Sequence, residues 1–406
     1  MHDPVAQSNA MAPKPRKNVL VTIGWPRDGA TGPVQSLFGL AQTLADEFDF
    51  QVIARDERLG GPPNGEVGWR RVGPLDRHWC TMKRFRAENF LSLVKSVPHD
   101  VHIMNGFFDH EFTIPTLIFR RLGLLPRKPA ILSPRGEFSA GPAAMARPHK
   151  KIYLKLARVF GLLDDVVLHA TVDSEADDIR RYCPWVRNIV VAPNIRALDT
   201  DWAPPTVESA ANRPLRVVFL SRIDRKKNVD YALKVIRDAG IPIEFDLYGP
   251  VNDEPYWDDC LALIKSIPPH VSVNYRGAIP NADVSKTLAR YDLFFLPTAG
   301  ENFGHAIFDA LSVGVPVLLS DQTPWLDLKN RKAGWSLPLS DPAPFSAALV
   351  AMRNMDVELR RDLVRGARAT AEHAVTADQA VARSRDMLHA VLRGSAVTTS
   401  TGKDRP

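Results

Sequence analysis

Glu301 and Asp309 stand eight positions apart in residues 296–325, LPTAGENFGHAIFDALSVGVPVLLSDQTPW. The first precedes a helical pattern and the second lies within it, so both carboxylates can reach one side of a cleft. The turn Gly300-Glu301-Asn302-Phe303-Gly304 leads from a short apolar strand into that helix. It offers backbone N–H groups at a helix N-terminus, a ready site for a phosphate or another anion. A carboxylate pair beside such a site can hold sugar hydroxyls. Spacing alone fits equally well a capped surface helix with one incidental acid. A second stretch, residues 219–230 (FLSRIDRKKNVD), puts Arg222 and Lys227 five apart at a strand-to-helix turn. Two cations there can clamp a diphosphate, the arginine through its planar fork and the lysine as a point charge. Lys226 competes for the lysine role, and a basic run before a helix is also an ordinary solvated face.

Together these stretches resemble the family 4 retaining glycosyltransferases (glycosyl transferases group 1), which have the GT-B fold and use nucleotide-sugar donors. The family pattern is a Glu, any residue, Phe-Gly, a second acid, then Ala and Gly-x-Pro-Val. Glu301, Phe303, Gly304, Asp309, Ala310, Gly314, Pro316 and Val317 fit it. Asp309 departs from it, since the family usually has Glu there; Asp has one methylene less and about 1.5 Å less reach. The resemblance implies that Asp309 holds the donor's ribose hydroxyls and that Glu301 lies beside the transferred sugar. It implies further that Arg222 and Lys227 neutralise the leaving diphosphate. Asn302, Phe303, Gly304 and His305 then belong to the donor site. Asn228 replaces a Gly that usually follows the lysine.

Weaker signals lie elsewhere. Gly249, after the strand at 245–248, looks like a family glycine turn near the donor base, and Arg276 would line the same pocket. A plain strand-to-helix turn explains both equally. Residues 29–33 (GATGP), including Gly32, follow the first strand; glycines there allow a backbone to approach a ligand closely. In the family the equivalent loop approaches the donor phosphates and the acceptor. In Ser133-Pro134-Arg135-Gly136, many family members carry a His where Arg135 stands. Arg135 cannot act as a base because it stays charged, but it can hold a phosphate or sugar hydroxyls. Residues 149–160 (HKKIYLKLARVF) form a basic amphipathic helix with Lys150, Lys151 and Lys155. It reads either as a helix resting on an anionic membrane or as one whose apolar face is in the core. Further on, Ser174 reads as an N-cap, and Glu175 either as an acid that reaches the cleft or as one of the capping region.

The elements that must position these residues alternate strand and helix. Strands are expected at 18–24, 51–54, 100–105, 130–133 and 166–171, with helices at 34–48, 112–122, 149–160 and 174–182. Such alternation means a parallel sheet with crossover helices. Three prolines and many small polar residues at 196–214 break the pattern. It then restarts, with strands at 215–220, 243–248, 271–275, 292–296 and 315–319. Helices are expected at 229–238, 257–266, 306–313, 345–354, 357–374 and 377–392. The fold class is therefore α/β, of GT-B architecture, with two Rossmann-like doubly wound domains facing a central cleft. The expected segments are a disordered arm at 1–17, an acceptor-side domain at 18–196 and a linker at 197–214. A nucleotide-sugar-binding domain at 215–375 follows, then a helix at 376–393 packing back on the first domain, and a disordered tail at 394–406.

Composition bounds the rest. The 406 residues are 45% hydrophobic and 24% charged, a soluble globular balance that excludes a fibrous or mainly disordered chain. No apolar run approaches the roughly 18 residues that span a bilayer, and residues 1–17 lack an apolar signal core. The expected location is cytoplasmic, with a possible peripheral site at the inner face of the membrane. Cys80, Cys183 and Cys260 are too far apart for a zinc site, and as an odd set they suit reduced thiols. The net charge of +6 comes from residues 1–200, which hold 27 Lys and Arg against 21 Asp and Glu. A basic first half suits a phosphorylated or lipid-linked acceptor or an anionic membrane. A nucleic-acid partner is not expected, because the second half is neutral and no known binding motif occurs.

The resemblance thus implies a metal-independent glycosyltransferase that moves a sugar, with retention, from a UDP- or GDP-linked donor. No cofactor and no metal are expected. The acceptor would be a glycan or a polyprenyl-diphosphate-linked glycolipid of bacterial exopolysaccharide or lipopolysaccharide assembly. The alternatives are another GT-B enzyme, such as a nucleotide-sugar epimerase, and a non-catalytic nucleotide-sugar-binding protein.

Overall fold

The computed structural model describes residues 15–25, 32–56, 68–72, 75–81, 87–138, 145, 147–196, 198, 204–209, 212–376 and 378–394. The expectations for residues 1–14, for 29–31 and for the tail beyond 394 lie outside them.

The first sheet has eight strands in the order β3-β4-β2-β1-β5-β6-β7-β8. They are β1 (Lys17–Trp25), β2 (Phe48–Asp56), β3 (Trp69–Val72), β4 (Leu75–Thr81), β5 (Val101–Asn105), β6 (Ala130–Ser133), β7 (Val166–Ala170) and β8 (Ile189–Val191). All pairings are parallel except that of β3 with β4. The helices are α1 (Gly32–Thr43), α2 (Ala87–Ser96), α3 (Thr113–Arg121), α4 (Pro148–Val159) and α5 (Asp173–Tyr182). Every residue of β5 and β6 is buried, as parallel strands covered on both faces must be.

The second sheet is wholly parallel, in the order β11-β10-β9-β12-β13-β14. Its strands are β9 (Leu215–Leu220), β10 (Ile243–Tyr248), β11 (Val271–Gly277), β12 (Leu293–Leu296), β13 (Val317–Ser320) and β14 (Gly334–Leu337). Its helices are α6 (Val229–Asp238), α7 (Glu254–Ile264), α8 (Asn281–Leu288), α9 (His305–Ser312), α10 (Ala343–Asn354) and α11 (Val357–Thr376). Val217, Val218, Phe219, Phe294 and Phe295 form the centre of its core.

The order of each sheet reverses at one place. In the second, β9 lies between β10 and β12, so the loops after β9 and β12 open side by side; in the first, β1 lies between β2 and β5. Ligands of open α/β sheets sit in the crevice at such switch points, beyond the strand ends.

The last helix, α12 (Asp378–Leu392), leaves the second domain and returns to the first. Met387, Leu388 and Val391 join Val19, Val21, Phe48 and Val190 in one buried cluster. Arg385 and His389 both bond the Glu47 carboxylate, at 2.6 and 2.7 Å. Within the second domain, Asp292 gathers Arg213 of the connecting segment at 2.6 and 2.7 Å, the Arg216 amide of β9 at 2.8 Å, and Arg360 of α11 at 3.5 Å.

The structure departs from the sequence-based expectations at several points. The first helix stops at Thr43, and Phe48 already begins β2, where its ring enters the core. Strands β3, β4, β8 and β14 and helices α2 and α8 lie beyond the expected set. Trp69-Arg70-Arg71-Val72 is an edge strand whose charged residues hide its alternation. Ser174 is not the cap of α5; Val172 takes the cap position, with no side-chain bond to the helix end.

Candidate functional site

The loops after β9 and β12 meet at the switch point. Lys227 ends a single 3-10 turn (Arg225–Lys227), and its ammonium is ion-paired with Glu301. Both side chains are largely buried, at 8% and 16% exposure. Asn228 then takes a left-handed conformation, φ 54° and ψ 46°. Asn tolerates that region better than most non-glycine residues, so it serves where a Gly was expected. Its amide also donates to the Pro297 carbonyl at 2.9 Å, tying the β9 loop to the end of β12. The Lys226 carbonyl accepts from the Ala299 amide at 2.8 Å, a further tie. Burial, and then its neighbour Lys227, hold the Lys226 ammonium below its usual range. Arg222 differs from both lysines. Its side chain is 58% exposed, and its nearest acid, Asp224, lies at 3.8 Å. It is free to reach a ligand.

On the β12 side, the Glu301 amide donates to Gln322 at 3.0 Å, and Trp325 donates to the Phe303 carbonyl at 2.6 Å. These bonds hold the turn before α9. Gly304 caps that helix with φ 78°. Asn302 faces the first domain: a Cβ on Gly136 would lie 3.1 Å from its amide nitrogen.

Several first-domain groups converge on α9. A Cβ on Gly32, at the start of α1, would run into the His305 ring, so only glycine permits this approach. Ser36 lies 3.4 Å from Nε2 of His305, and Arg196 lies 3.1 Å from its Nδ1. Arg196 is also ion-paired with Asp309 and lies over the Phe308 ring, 5.1 Å from its centroid. Burial, followed by the charges of Arg196 and Arg135, keeps His305 neutral, its pKa well below the ordinary value. Burial raises Asp309, and the Arg196 pair works against that rise.

Arg135 sits at the end of β6 with φ 57°, a strained value for a non-glycine residue. Its Nε donates to Asn105 and one terminal nitrogen donates to Asn194, each at 2.8 Å. Burial lowers its pKa to about 10, with Glu175 acting against the change. The Glu175 carboxylate accepts from the Gly136 amide at 2.6 Å and from Thr171 at 2.7 and 2.8 Å. Glu175 is thus both an acid of the first turn of α5, bonded to the backbone just before it, and a buried brace for the Arg135 turn. His169 is also structural, lying between the Ser133 hydroxyl at 2.9 Å and the Ala192 carbonyl at 2.8 Å.

Of the expected site residues, the structure brings Arg222, Lys227, Glu301, Asn302, Phe303, Gly304, His305, Asp309, Gly32 and Arg135 to the ends of the strands that face the cleft. Arg276 stands at the end of β11, whose Gly277 carbonyl accepts from the Gly249 amide at 2.9 Å. Its Nε donates to Asp246 at 3.1 Å, within a network with Asn274 and Tyr291. Gly249 has a packing reason of its own: with φ 136°, a Cβ there would collide with the Ser221 carbonyl. The site residue that sequence reading missed is Arg196. The one signal was its place two positions after Asn194, where the first domain ends.

Helix α4 divides its apolar residues between the core and the surface. Ile152, Leu156 and Val159 are exposed at 59%, 45% and 68%, and Phe160 at 55%. Ala157 is fully buried and Tyr153 and Leu154 pack against the first core, so the exposed residues form a second apolar face of the helix. Ile152, Leu156 and Val159 share one stripe; Lys151, Lys155 and Arg158 run beside it at the same spacing. Lys150 is instead turned inward, with its ammonium 4.3 Å from the centre of the Phe108 ring. Among the described residues no helix is long and apolar enough to cross a membrane.

Residues 205–370 match the family model described as "Glycosyl transferases group 1". The chain is 26% identical over 185 residues to a putative colanic acid biosynthesis glycosyltransferase, WcaL, of Escherichia coli (strain K12), covering 43% of this chain and 44% of that one. It is 24% identical over 172 residues to the amylovoran biosynthesis glycosyltransferase AmsK of Erwinia amylovora, covering 38% and 39%. The matches span less than half the length of these two relatives. Among solved structures, sucrose-phosphate synthase from Thermosynechococcus elongatus superposes with a TM-score of 0.69 at 14% identity, covering 94% of this chain and 100% of that one. Anabaena Alr3699/HepE, in complex with UDP and glucose, gives 0.67 at 13% identity, covering 92% and 100%.

Proposed function

From the premise that this chain carries a glycosyl transferases group 1 domain on a GT-B fold, we propose that it transfers a sugar from a nucleotide-diphosphate donor to a glycan or glycolipid, with retention. The observation that carries this reading is the meeting of Lys227 with Glu301 at the switch point, beside a mostly exposed Arg222. The donor is UDP- or GDP-linked; a structural neighbour in complex with UDP and glucose supports a nucleotide-sugar site. The relatives named for colanic acid and amylovoran biosynthesis support a role in bacterial polysaccharide assembly.

The chemistry follows from the charges. As the bond between the sugar's anomeric carbon and the diphosphate breaks, negative charge grows on the leaving oxygen. Arg222, Lys227 and the N-terminus of α9 stabilise that charge, so no metal is required. Glu301 holds Lys227 in place and orients the sugar, and Asp309 accepts from the ribose hydroxyls. The acceptor hydroxyl attacks from the face that the diphosphate leaves and passes its proton to a donor phosphate oxygen. Closure of the two domains excludes water and limits hydrolysis of the donor.

The acceptor side belongs to the first domain. The bare apolar stripe of α4 and its lysines suit a protein resting on an anionic membrane at its cytoplasmic face, where polyprenyl-diphosphate-linked acceptors reside.

Thermal unfolding with UDP, GDP and ADP tests the donor reading. Ligand at about 100 Kd adds about 2.7 kcal/mol. The expected result is a raised Tm with one nucleotide that disappears in an Arg222→Ala/Lys227→Ala variant. No shift with any of the three overturns the reading.

A further inference from the structure

The acid assigned to the ribose is already occupied. Asp309 lies on α9, and its carboxylate is ion-paired with Arg196, which leaves the first domain just after β8. The arginine is held from three sides: by Asp309, by Nδ1 of His305 at 3.1 Å and by the Phe308 ring. Only 10% of the Arg196 side chain and 18% of the Asp309 side chain are exposed. The backbone on which Arg196 rides is fixed too, because Gly39 of α1 packs directly on the Ile195 carbonyl. An aspartate is one methylene shorter than a glutamate. With about 1.5 Å less reach, its carboxylate is drawn one way by the Arg196 guanidinium and another by a ribose.

We propose that Arg196 competes with the donor's ribose for Asp309, pairing with it while the site is empty and giving it up when a nucleotide binds. This rests on the donor reading above and adds a built-in brake to it. Arg196 stands where the chain passes from one domain to the next. Its release therefore frees the connecting segment from α9 at the moment the donor arrives, linking donor occupancy to domain movement. A ligand that must break a pair binds more weakly by the free energy of that pair.

The test is calorimetric titration of UDP and GDP, and of their 2′,3′-dideoxy forms, into the wild type, Arg196→Gln and Asp309→Asn. Arg196→Gln should lower the Kd of whichever nucleotide the wild type binds by about tenfold. The dideoxy form, which has no ribose hydroxyls to offer, should show no gain. Asp309→Asn in the Arg196→Gln background should abolish the gain. Arg196→Lys keeps the charge but loses the fork, and should give a smaller gain; it also serves if Arg196→Gln fails to fold. Unchanged or weaker binding by the folded variants overturns the competition while leaving the donor site intact. An equal gain for the dideoxy nucleotide does the same. If the wild type binds neither UDP nor GDP, the donor reading falls and this inference falls with it.

Discussion

Lys227 and Glu301 come from loops on neighbouring strands, 74 residues apart in the chain, and form one largely buried ion pair. Their pairing means that the two halves of the candidate site are one electrostatic unit.

Removing Lys227 should therefore have two effects. Lys227→Ala should lower kcat/KM by about 10² to 10³ and also lower Tm, because Glu301 is left without its partner. Adding Glu301→Gln should restore much of the Tm without restoring activity. Steady-state kinetics and thermal unfolding of the two single variants and the double variant check this. A double variant as unstable as Lys227→Ala alone would show that the pair is not what couples the loops.

Arg222 should behave differently. It is mostly exposed and only loosely placed beside Asp224 at 3.8 Å. Arg222→Ala should leave stability within about 0.5 kcal/mol of wild type. Turnover should fall at least tenfold, with Arg222→Lys recovering part of it, if the arginine meets the diphosphate through its fork. A large fall in Tm would point to a structural role instead.

Acid should weaken the first domain before its carboxylates titrate. His102 is buried against Thr22, and burial holds its pKa well below the ordinary value, with His99 and Arg120 adding to the effect. His169 is lowered to about 4 by burial and then by Arg135. Both are neutral in the folded protein, whereas in the unfolded chain each takes up a proton below about pH 6.5. Stability is then lost as pH falls from about 6.5 toward the folded values, by about 1.4 kcal/mol per pH unit for each histidine. Urea midpoints between pH 7.5 and 5 measure this. His169→Asn should flatten the slope, and a midpoint independent of pH would contradict the assignment.

The α4 stripe makes a separate prediction. Ile152→Asp/Leu156→Asp should abolish flotation with vesicles of phosphatidylglycerol and phosphatidylcholine, at unchanged Tm, because both side chains already face solvent. Lys151→Glu/Lys155→Glu should weaken flotation in a salt-dependent way. Lys150→Glu should matter less for binding, because that ammonium is spent on Phe108. Equal flotation of all variants would remove α4 from any membrane contact.

How much of this could be read from the residues depended on distance along the chain. The β9 and β12 loops were legible because each carries its chemistry within about a dozen positions, at a strand-to-helix turn whose form local sequence dictates. Asn228 in place of glycine made sense only once its left-handed backbone was visible. Arg196 was illegible, because its partner lies 113 positions away across a cleft that only the assembled domains create. Glu175 was legible only in part: its place in the first turn of its helix is local, but the Gly136 amide it also braces belongs to another strand end. For α4, periodicity identified an amphipathic helix without saying which way it faced. That depended on how little of it the first core covers.

The return of α12 to the first domain has a consequence for biosynthesis. Met387, Leu388 and Val391 complete a cluster built on β1, β2 and α1, whose residues leave the ribosome well before them. The early domain must wait with an open apolar face while about 340 further residues, the spacing from Glu47 to His389, are made. Its last structural piece arrives only after the other domain has been synthesised, so a ribosome stalled late in the message would release a chain whose opening domain is unfinished.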